Sequence, residues 1–213
     1  MMRRWPFARR TTALAPQEAY ALWARDYPAY PHNPLMEAEH QTLLSLLPDV
    51  EGKRSLDAGC GSGRYLRELK ARRAIAFGVD LSAAMLGEAR RTACPLVRAD
   101  LLALPLADAS MDLIVCGLAL GDVDGLAPAI AELARVLRRG GRLLYSVVHP
   151  SGGCRGWQRT FDADGRQWAV DGCWHSEAEH RDACAASELA VEEWREATVA
   201  ATPAALVVRA RRV

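Results

Sequence analysis

The sequence has almost no lysine: Lys53 and Lys70 stand alone, and arginine supplies nearly all of the positive charge. The 27 basic side chains are offset by 26 acidic ones, leaving a net charge of +1. Without a strong field of either sign, bulk charge recruits neither nucleic acid nor an anionic membrane. No C-x-x-C pair occurs among the six cysteines. That argues against a disulfide framework and for reduced thiols in an intracellular setting. No apolar run approaches the roughly 20 residues of a membrane span. The basic start Met1–Arg10 is not followed by an apolar stretch of signal-peptide length. Internal repeats and low-complexity linkers are missing as well. These absences lead us to expect a cytoplasmic protein, monomer or homodimer, that acts on a small molecule and needs no membrane or nucleic acid.

What is present fits one well-buried α/β domain of 213 residues, half of them hydrophobic and a quarter charged. The chain is organised around Ser55-Leu-Asp-Ala-Gly-Cys-Gly-Ser-Gly-Arg-Tyr65. Leu56-Asp57-Ala58 reads as the end of a buried strand, and Gly63 onward, with Leu66 and Leu69, as the start of a helix. Between them Gly59, Gly61 and Gly63 leave the backbone bare. Free N–H groups and the positive end of a helix dipole then face whatever lies above the turn. Such a turn at the first crossover of a parallel sheet suits a nucleotide-type ligand. The spacing G-x-G-x-G differs from the dinucleotide G-x-G-x-x-G.

A second strand, Ile75–Val79, ends in Asp80, whose carboxylate is placed to accept both hydroxyls of a ribose. Ser82 follows as a helix N-cap with Met85, Leu86 and Ala89 on the inner face. Pro95–Ala99 is a short third strand closed by Asp100. Leu113–Gly117 is a continuous apolar fourth strand, buried on both faces. The next helix carries Leu126, Ile130, Leu133 and Leu137 inward and is expected to stop at Gly140-Gly141.

Asp57-Ala-Gly-Cys-Gly-Ser-Gly63 followed by Gly78-Val-Asp-Leu-Ser82 resembles the class I S-adenosylmethionine-dependent methyltransferases, and within them the broad type 11 small-molecule group that includes quinone-biosynthesis enzymes. The likeness spans roughly residues 56 to 148. It implies an α/β fold, a doubly wound and mostly parallel seven-stranded sheet with the last strand antiparallel and helices on both faces. It implies S-adenosylmethionine as cofactor and S-adenosylhomocysteine as product, with methyl transfer to an O or N acceptor. By the same likeness Gly59, Gly61 and Gly63 admit the methionine part, supported by Asp57. Asp80 with Leu81 holds the ribose, Asp100 with Leu101 holds the adenine, and Cys116 lies among the cofactor-binding positions. For Asp57 a role in fixing the glycine loop's own N–H groups stands beside this one, and for Asp80 a role as a second helix cap.

The flanks are less standard. Residues 1–15 are expected to be mobile. A short helix over 17–27 sets Tyr20, Trp23 and Tyr27 on one face, either to pack it onto the domain or to close over the cofactor, with Tyr20 and Tyr27 as candidate substrate contacts. A turn-rich loop over Pro28–Pro34 contains His32. An amphipathic helix marked by Met36, His40, Leu43 and Leu47 follows. Asp122, after the fourth strand, is a candidate for orienting substrate. The fifth strand, Arg142–Val148, delivers His149 to the carboxyl edge, as general base, substrate contact or turn former.

Residues 151–175 read as a folded flap with an Asp164-Gly165 turn. Trp157 and Arg159 either line an aromatic or anionic substrate pocket or staple the flap to itself. Cys173, His175, His180 and Cys184 match no standard zinc spacing, and no metal is expected. A polar helix over 176–187 and a terminal hairpin, with Thr202-Pro203 as its turn, close the chain. The expected division is one domain, 1–213. It comprises an N-terminal helical cap (1–50), a cofactor-binding core (51–149), the flap (150–175) and a C-terminal helix and hairpin (176–213). Two rival functions remain open: an NAD-dependent oxidoreductase, and a non-catalytic S-adenosylmethionine-binding or interaction protein.

Overall fold

The computed structural model describes residues 11–213. The mobile stretch expected over 1–15 therefore falls mostly outside the described residues, and its last part is a strand, β1 (Thr12–Leu14). Next come α1 (Pro16–Trp23), a 3-10 turn (Ala24–Asp26), α2 (Pro34–Leu46), β2 (Arg54–Ala58), α3 (Arg64–Ala71), β3 (Ile75–Asp80), α4 (Ala83–Ala89) and β4 (Leu96–Arg98). The chain continues through β5 (Met111–Gly117), α5 (Leu126–Val136), β6 (Leu137–Val148), α6 (Ser151–Cys154), β7 (Arg159–Ala163) and β8 (Arg166–Val170). It ends with α7 (Glu177–Ala186), β9 (Leu189–Val199) and β10 (Thr202–Arg212). Among the described residues no helix is long and apolar enough to cross a membrane.

Seven strands form one sheet in the order β4-β3-β2-β5-β6-β10-β9. The first five are mutually parallel, and β10 runs antiparallel between β6 and β9. This is the expected fold. Alternation along the strands feeds two apolar layers. Ile114, Leu143, Tyr145 and Leu206 face α5 and α7, while Leu113, Val115, Leu144 and Val207 face α2, α3 and α4. Each fully buried leucine contributes on the order of 2 kcal/mol, so helices with few polar inner positions are held down chiefly by these layers. Side-chain caps fix where three of the helices begin. Asn33 Oδ1 accepts from Met36 N at 2.9 Å ahead of Pro34, Ser82 Oγ accepts from Met85 N at 3.3 Å, and Ser176 forms a capping box with Glu179.

Three boundaries differ from expectation. Helix α5 ends at Val136, four residues before Gly140-Gly141, and β6 begins at once. Gly140 has φ +75°, and a Cβ on Gly141 would lie 2.9 Å from the carbonyl oxygens of Arg138 and Asp112. The pair serves an irregularity in the β5–β6 register rather than a helix cap. The terminal hairpin turns at Ala200-Ala201, both with positive φ, so Thr202 and Pro203 already belong to β10. Third, the N-terminal segment and the flap are one unit. β1 pairs parallel to β8 and β7 antiparallel to it, through an Asp164-Gly165 turn with both φ positive. Trp23 of α1 stacks on Phe161 of β7 at 4.7 Å between centroids.

Candidate active site

Where β2, β3 and β5 end, the sheet opens onto a cavity of about 610 Å³. Its floor is the glycine turn. The N–H groups of Gly59 and Cys60 both donate to Val79 O, at 2.8 and 2.9 Å, locking the turn against β3. Gly61 N then donates to Asp80 Oδ2 at 2.8 Å, and Ser82 N donates to Asp80 Oδ1 at 2.8 Å. Asp80 is thus both a clamp on the loop and a carboxylate facing the cavity. Burial raises its carboxyl above the usual range, while the Ser82 and Gly61 N–H bonds pull it back. At Gly59, with φ +71°, a Cβ would stand 2.5 Å from Ala119 Cβ, so backbone alone fits there. Leu81, Asp100 and Leu101 line the same cavity, and Asp100 Oδ1 accepts from Leu102 N at 2.9 Å.

Three other expected cofactor positions, two from the same motif and one from β5, lie elsewhere. Asp57 sits beneath the loop, fully buried, with Oδ2 accepting from Leu66 N at 3.0 Å; burial pushes its carboxyl up to about 7. Gly63 precedes α3 with φ +85°, and a Cβ there would come within 2.6 Å of Thr92 Cγ2, so its bareness serves helix packing. Cys116 points into the core with Ile114 and Tyr145 and does not line the cavity. Its placement among cofactor contacts is corrected by strand alternation, because the even-numbered residues 114 and 116 of β5 turn towards α5.

Tyr20, Trp23 and Tyr27 form one wall, with Trp23 at 4.7 Å from Tyr27. They pack on one another and also face the cavity. His32 joins them, edge-on to Trp23 and Tyr27 at 5.9 and 5.3 Å, its imidazole pKa lowered mainly by burial. Opposite, Tyr20 Oη donates to Asp122 Oδ2 at 3.0 Å. Arg159 Nη1 donates to the same oxygen at 2.8 Å and to Tyr20 Oη at 3.1 Å, and its second nitrogen pairs with Asp122 Oδ1. Burial and the Asp122 charge hold the Tyr20 phenol well above its ordinary pKa. Burial opposes the Arg159 charge, but Tyr20 and Asp122 outweigh it, so the guanidinium stays protonated.

Arg159 also lines a second cavity of about 430 Å³, walled by Trp157 and Trp174. Leu35, Leu118, Val148 and Gln158 are common to both cavities, so the two meet at the Tyr20–Asp122–Arg159 cluster. Trp157 faces only the second cavity.

His149 faces neither cavity. Along β6, Leu143, Tyr145 and Val147 point to the α5–α7 layer, and His149 continues that alternation. Its Nδ1 lies 2.9 Å from Ser151 Oγ, and Nε2 lies 3.4 Å from Glu196 and 3.9 Å from Glu177. The general-base placement is therefore corrected. Of the Cys173–Cys184 set, Cys173, His175 and His180 line the second cavity; His180 also stacks on Tyr145, and Cys184 Sγ lies 3.7 Å from Tyr145 Oη in the core.

Sequence reasoning missed a buried ionic network below the cavity. Glu39 of α2, with no exposed surface, accepts from Arg64 Nη1 at 2.7 Å, Tyr65 Oη at 2.6 Å and Ser146 Oγ at 2.5 Å. Arg64 lines the cavity as well. The available signal was a glutamate at i+3 from Met36 and i−4 from Leu43, on the apolar face of α2.

Residues 56–145 match the family model described as a methyltransferase domain. A malonyl-[acyl-carrier protein] O-methyltransferase from Enterobacter lignolyticus is 40% identical over 135 residues, covering 62% of this chain and 54% of that one. The chain thus spans about half the length of the curated relatives it matches. An S-adenosylmethionine-dependent methyltransferase from Mesorhizobium loti superposes with a TM-score of 0.70 at 29% identity, over 82% of this chain and 98% of that one. Magnesium protoporphyrin IX methyltransferase from Synechocystis, solved with S-adenosylhomocysteine, gives a TM-score of 0.69 over 92% and 95% of the two chains; at 20% identity it attests the fold alone.

Proposed function

We propose that this chain, which carries a methyltransferase domain on the class I S-adenosylmethionine-dependent fold, transfers a methyl group from S-adenosylmethionine to an oxygen or nitrogen of a small acceptor. The observation carrying this is the Asp80–Gly61 clamp beneath a cavity that backbone alone floors. The residues present fit the cofactor. Bare backbone at Gly59 and Gly61 leaves room for its amino-acid end, the Asp80 carboxylate suits the ribose hydroxyls, and Leu81 and Leu101 give an apolar seat beside Asp100 for the adenine. A cavity of this size is in the range that small-molecule ligands fill. The aromatic wall of Tyr20, Trp23 and Tyr27 suits a cationic centre and excludes water.

The chemistry that S-adenosylmethionine supplies is an electrophilic methyl on a sulfonium, given up by in-line displacement to leave S-adenosylhomocysteine. The protein's own contribution is alignment. We place the acceptor in the second cavity, where Trp157 and Trp174 hold its apolar body and Arg159 meets its polar end at the junction. The named activity of the curated relatives makes a carboxyl oxygen the first acceptor to test. A carboxylate is already ionised and asks nothing of a base, which agrees with His149 lying outside both cavities. The terminal antiparallel hairpin and the G-x-G-x-G spacing speak against the NAD reading.

Calorimetry with S-adenosylhomocysteine and with NAD separates the two cofactors. One-to-one binding of the first and none of the second is expected, and the reverse overturns the assignment. Release of S-adenosylhomocysteine on addition of carboxylic-acid acceptors then tests turnover against mere binding.

A further inference from the structure

His149 poses a question the proposed chemistry leaves open. Its side chain is only 7% exposed, and its Nε2 is buried with no hydrogen-bond partner. A buried imidazole nitrogen left unpaired costs about 1–3 kcal/mol, so a partner is expected where it points. It points between two carboxylates. Glu196 Oε1, from β9, lies 3.4 Å away, and Glu177 Oε1, from the first residue of α7, lies 3.9 Å away. One donor atom from each of the three residues lies within 4.8 Å of the others. Both glutamates are about half exposed. Among the described residues their only ion-pair contact is His149, in a chain where arginine is abundant.

We propose that His149, Glu177 and Glu196 form a binding site for a divalent transition-metal ion of the zinc type, with water completing the coordination. One imidazole nitrogen and two carboxylate oxygens are a donor set such ions accept. Ligand atoms around a four-coordinate zinc with bonds of about 2.0–2.1 Å stand roughly 3.3–3.5 Å apart. Only small rotations of the two exposed glutamates separate the observed spacings from these. The other ring nitrogen is already held. Ser151 N donates to Nδ1 at 3.2 Å and Ser151 Oγ lies 2.9 Å from it, so ligation through Nε2 requires the ring proton to pass to Nδ1, with Ser151 Oγ as its acceptor. The half-exposed glutamates leave a path for the ion from solvent.

The ion would join three separate elements. His149 directly follows β6, Glu177 begins α7, and Glu196 lies on β9 beside β10. The chain after His149 runs directly into Gly153, Gly156 and Trp157 on the second cavity. An occupied site therefore pins the base of that wall without touching the first cavity. The proposal stands on this geometry alone and does not depend on the methyl-transfer assignment.

The test uses full-length protein stripped with EDTA and then titrated with Zn²⁺, or with Co²⁺ as a spectroscopic stand-in. One ion per chain, a rise of several degrees in the thermal midpoint and Co²⁺ d–d absorption of a nitrogen–oxygen site are expected. His149→Ala should weaken binding at least about tenfold. The exposed pair Glu177→Gln with Glu196→Gln, which leaves the buried imidazole in place, should do the same while S-adenosylhomocysteine binding is unchanged. Metal binding equally strong in both variants, or a melting midpoint indifferent to the ions, overturns the proposal. In the latter case the two carboxylates alone satisfy His149 Nε2.

Discussion

Two strands of the same sheet lead to polar residues that look equivalent in the sequence, Asp80 at the end of β3 and His149 just after β6, yet the structure sends them to opposite sides. Asp80 turns over the glycine loop, takes the N–H of Gly61 and faces the first cavity. His149 continues the inward alternation of Tyr145 and Val147, and ends against the side of α7 and β9. Arrival at the carboxyl edge does not decide what a side chain meets. The parity of the strand decides it, together with what packs on each face. The even-numbered face of β6 carries Ser146, which reaches Glu39 below the first cavity, and Val148, which lines both cavities, whereas Val147 of the odd face borders the second cavity alone.

The largest effect should come from that even face. Glu39→Ala leaves the Arg64 guanidinium partnerless beneath the cavity, along with the Tyr65 and Ser146 hydroxyls. Breaking a buried ionic network from one side costs about 3–5 kcal/mol. Denaturant unfolding should register this as a fall in midpoint at unchanged slope. A loss under about 1 kcal/mol would mean the network is no part of what holds β6 to α2.

The opposite face is tested by acid. His180 of α7 is buried against Tyr145, and burial, helped by His175, lowers its pKa to about 4 from 6.5. The unfolded chain takes up the proton first, so the contribution is intact above pH 6.5 and is lost as the pH falls towards 4. The two values differ enough to amount to about 3 kcal/mol. Unfolding followed from pH 7 to 4 should show the wild type losing more stability than His180→Gln. Parallel curves would remove His180 as the cause.

The glycine-loop side of the first cavity was legible and the junction between the two cavities was not, for a physical reason. Gly59, Gly61 and Asp80 act within one βα unit, where local spacing fixes geometry. Strand order followed from apolar runs separated by helical patterns, and the terminal hairpin from plain alternation. The Tyr20–Asp122–Arg159 cluster joins residues 37 and 102 positions apart. Each of the three was singled out in the sequence, but nothing local says that they touch. The parallel pairing of β1 with β8 is equally remote in sequence. Cys116 and His149, by contrast, were misplaced despite a signal in plain view, since counting alternate residues along β5 and β6 assigns both to the α5–α7 face.

The next two predictions separate the cavities. Asp80→Asn keeps one acceptor for the loop N–H but loses the charge offered to a ribose. It should weaken S-adenosylhomocysteine by about 1–3 kcal/mol, read by calorimetry, and unaltered affinity would take Asp80 out of the site. Arg159→Met should act on the other side, raising the acceptor KM about tenfold or more, some 1.4 kcal/mol, while cofactor affinity moves far less. Equal losses for both ligands would mean that the cluster at the junction shapes one shared site.

The smallest effect is the most informative. If parity governs, His149→Gln should leave the affinity for S-adenosylhomocysteine within about twofold, roughly 0.4 kcal/mol, because the imidazole faces away from the cavity that Asp80 serves. The pH profile of kcat/KM for methyl transfer should also match that of the wild type, as no proton in that cavity passes through residue 149. A base at this position would instead lower kcat and flatten the acidic limb of the profile. That result would require the end of β6 to turn over by one residue, carrying Val148 out of both cavities and His149 in. The single-residue shift would also expose Val147 and break the His149 N to Ala204 O bond that ties β6 to β10. A small response to His149→Gln alongside a large one to Asp80→Asn is thus a functional readout of strand register.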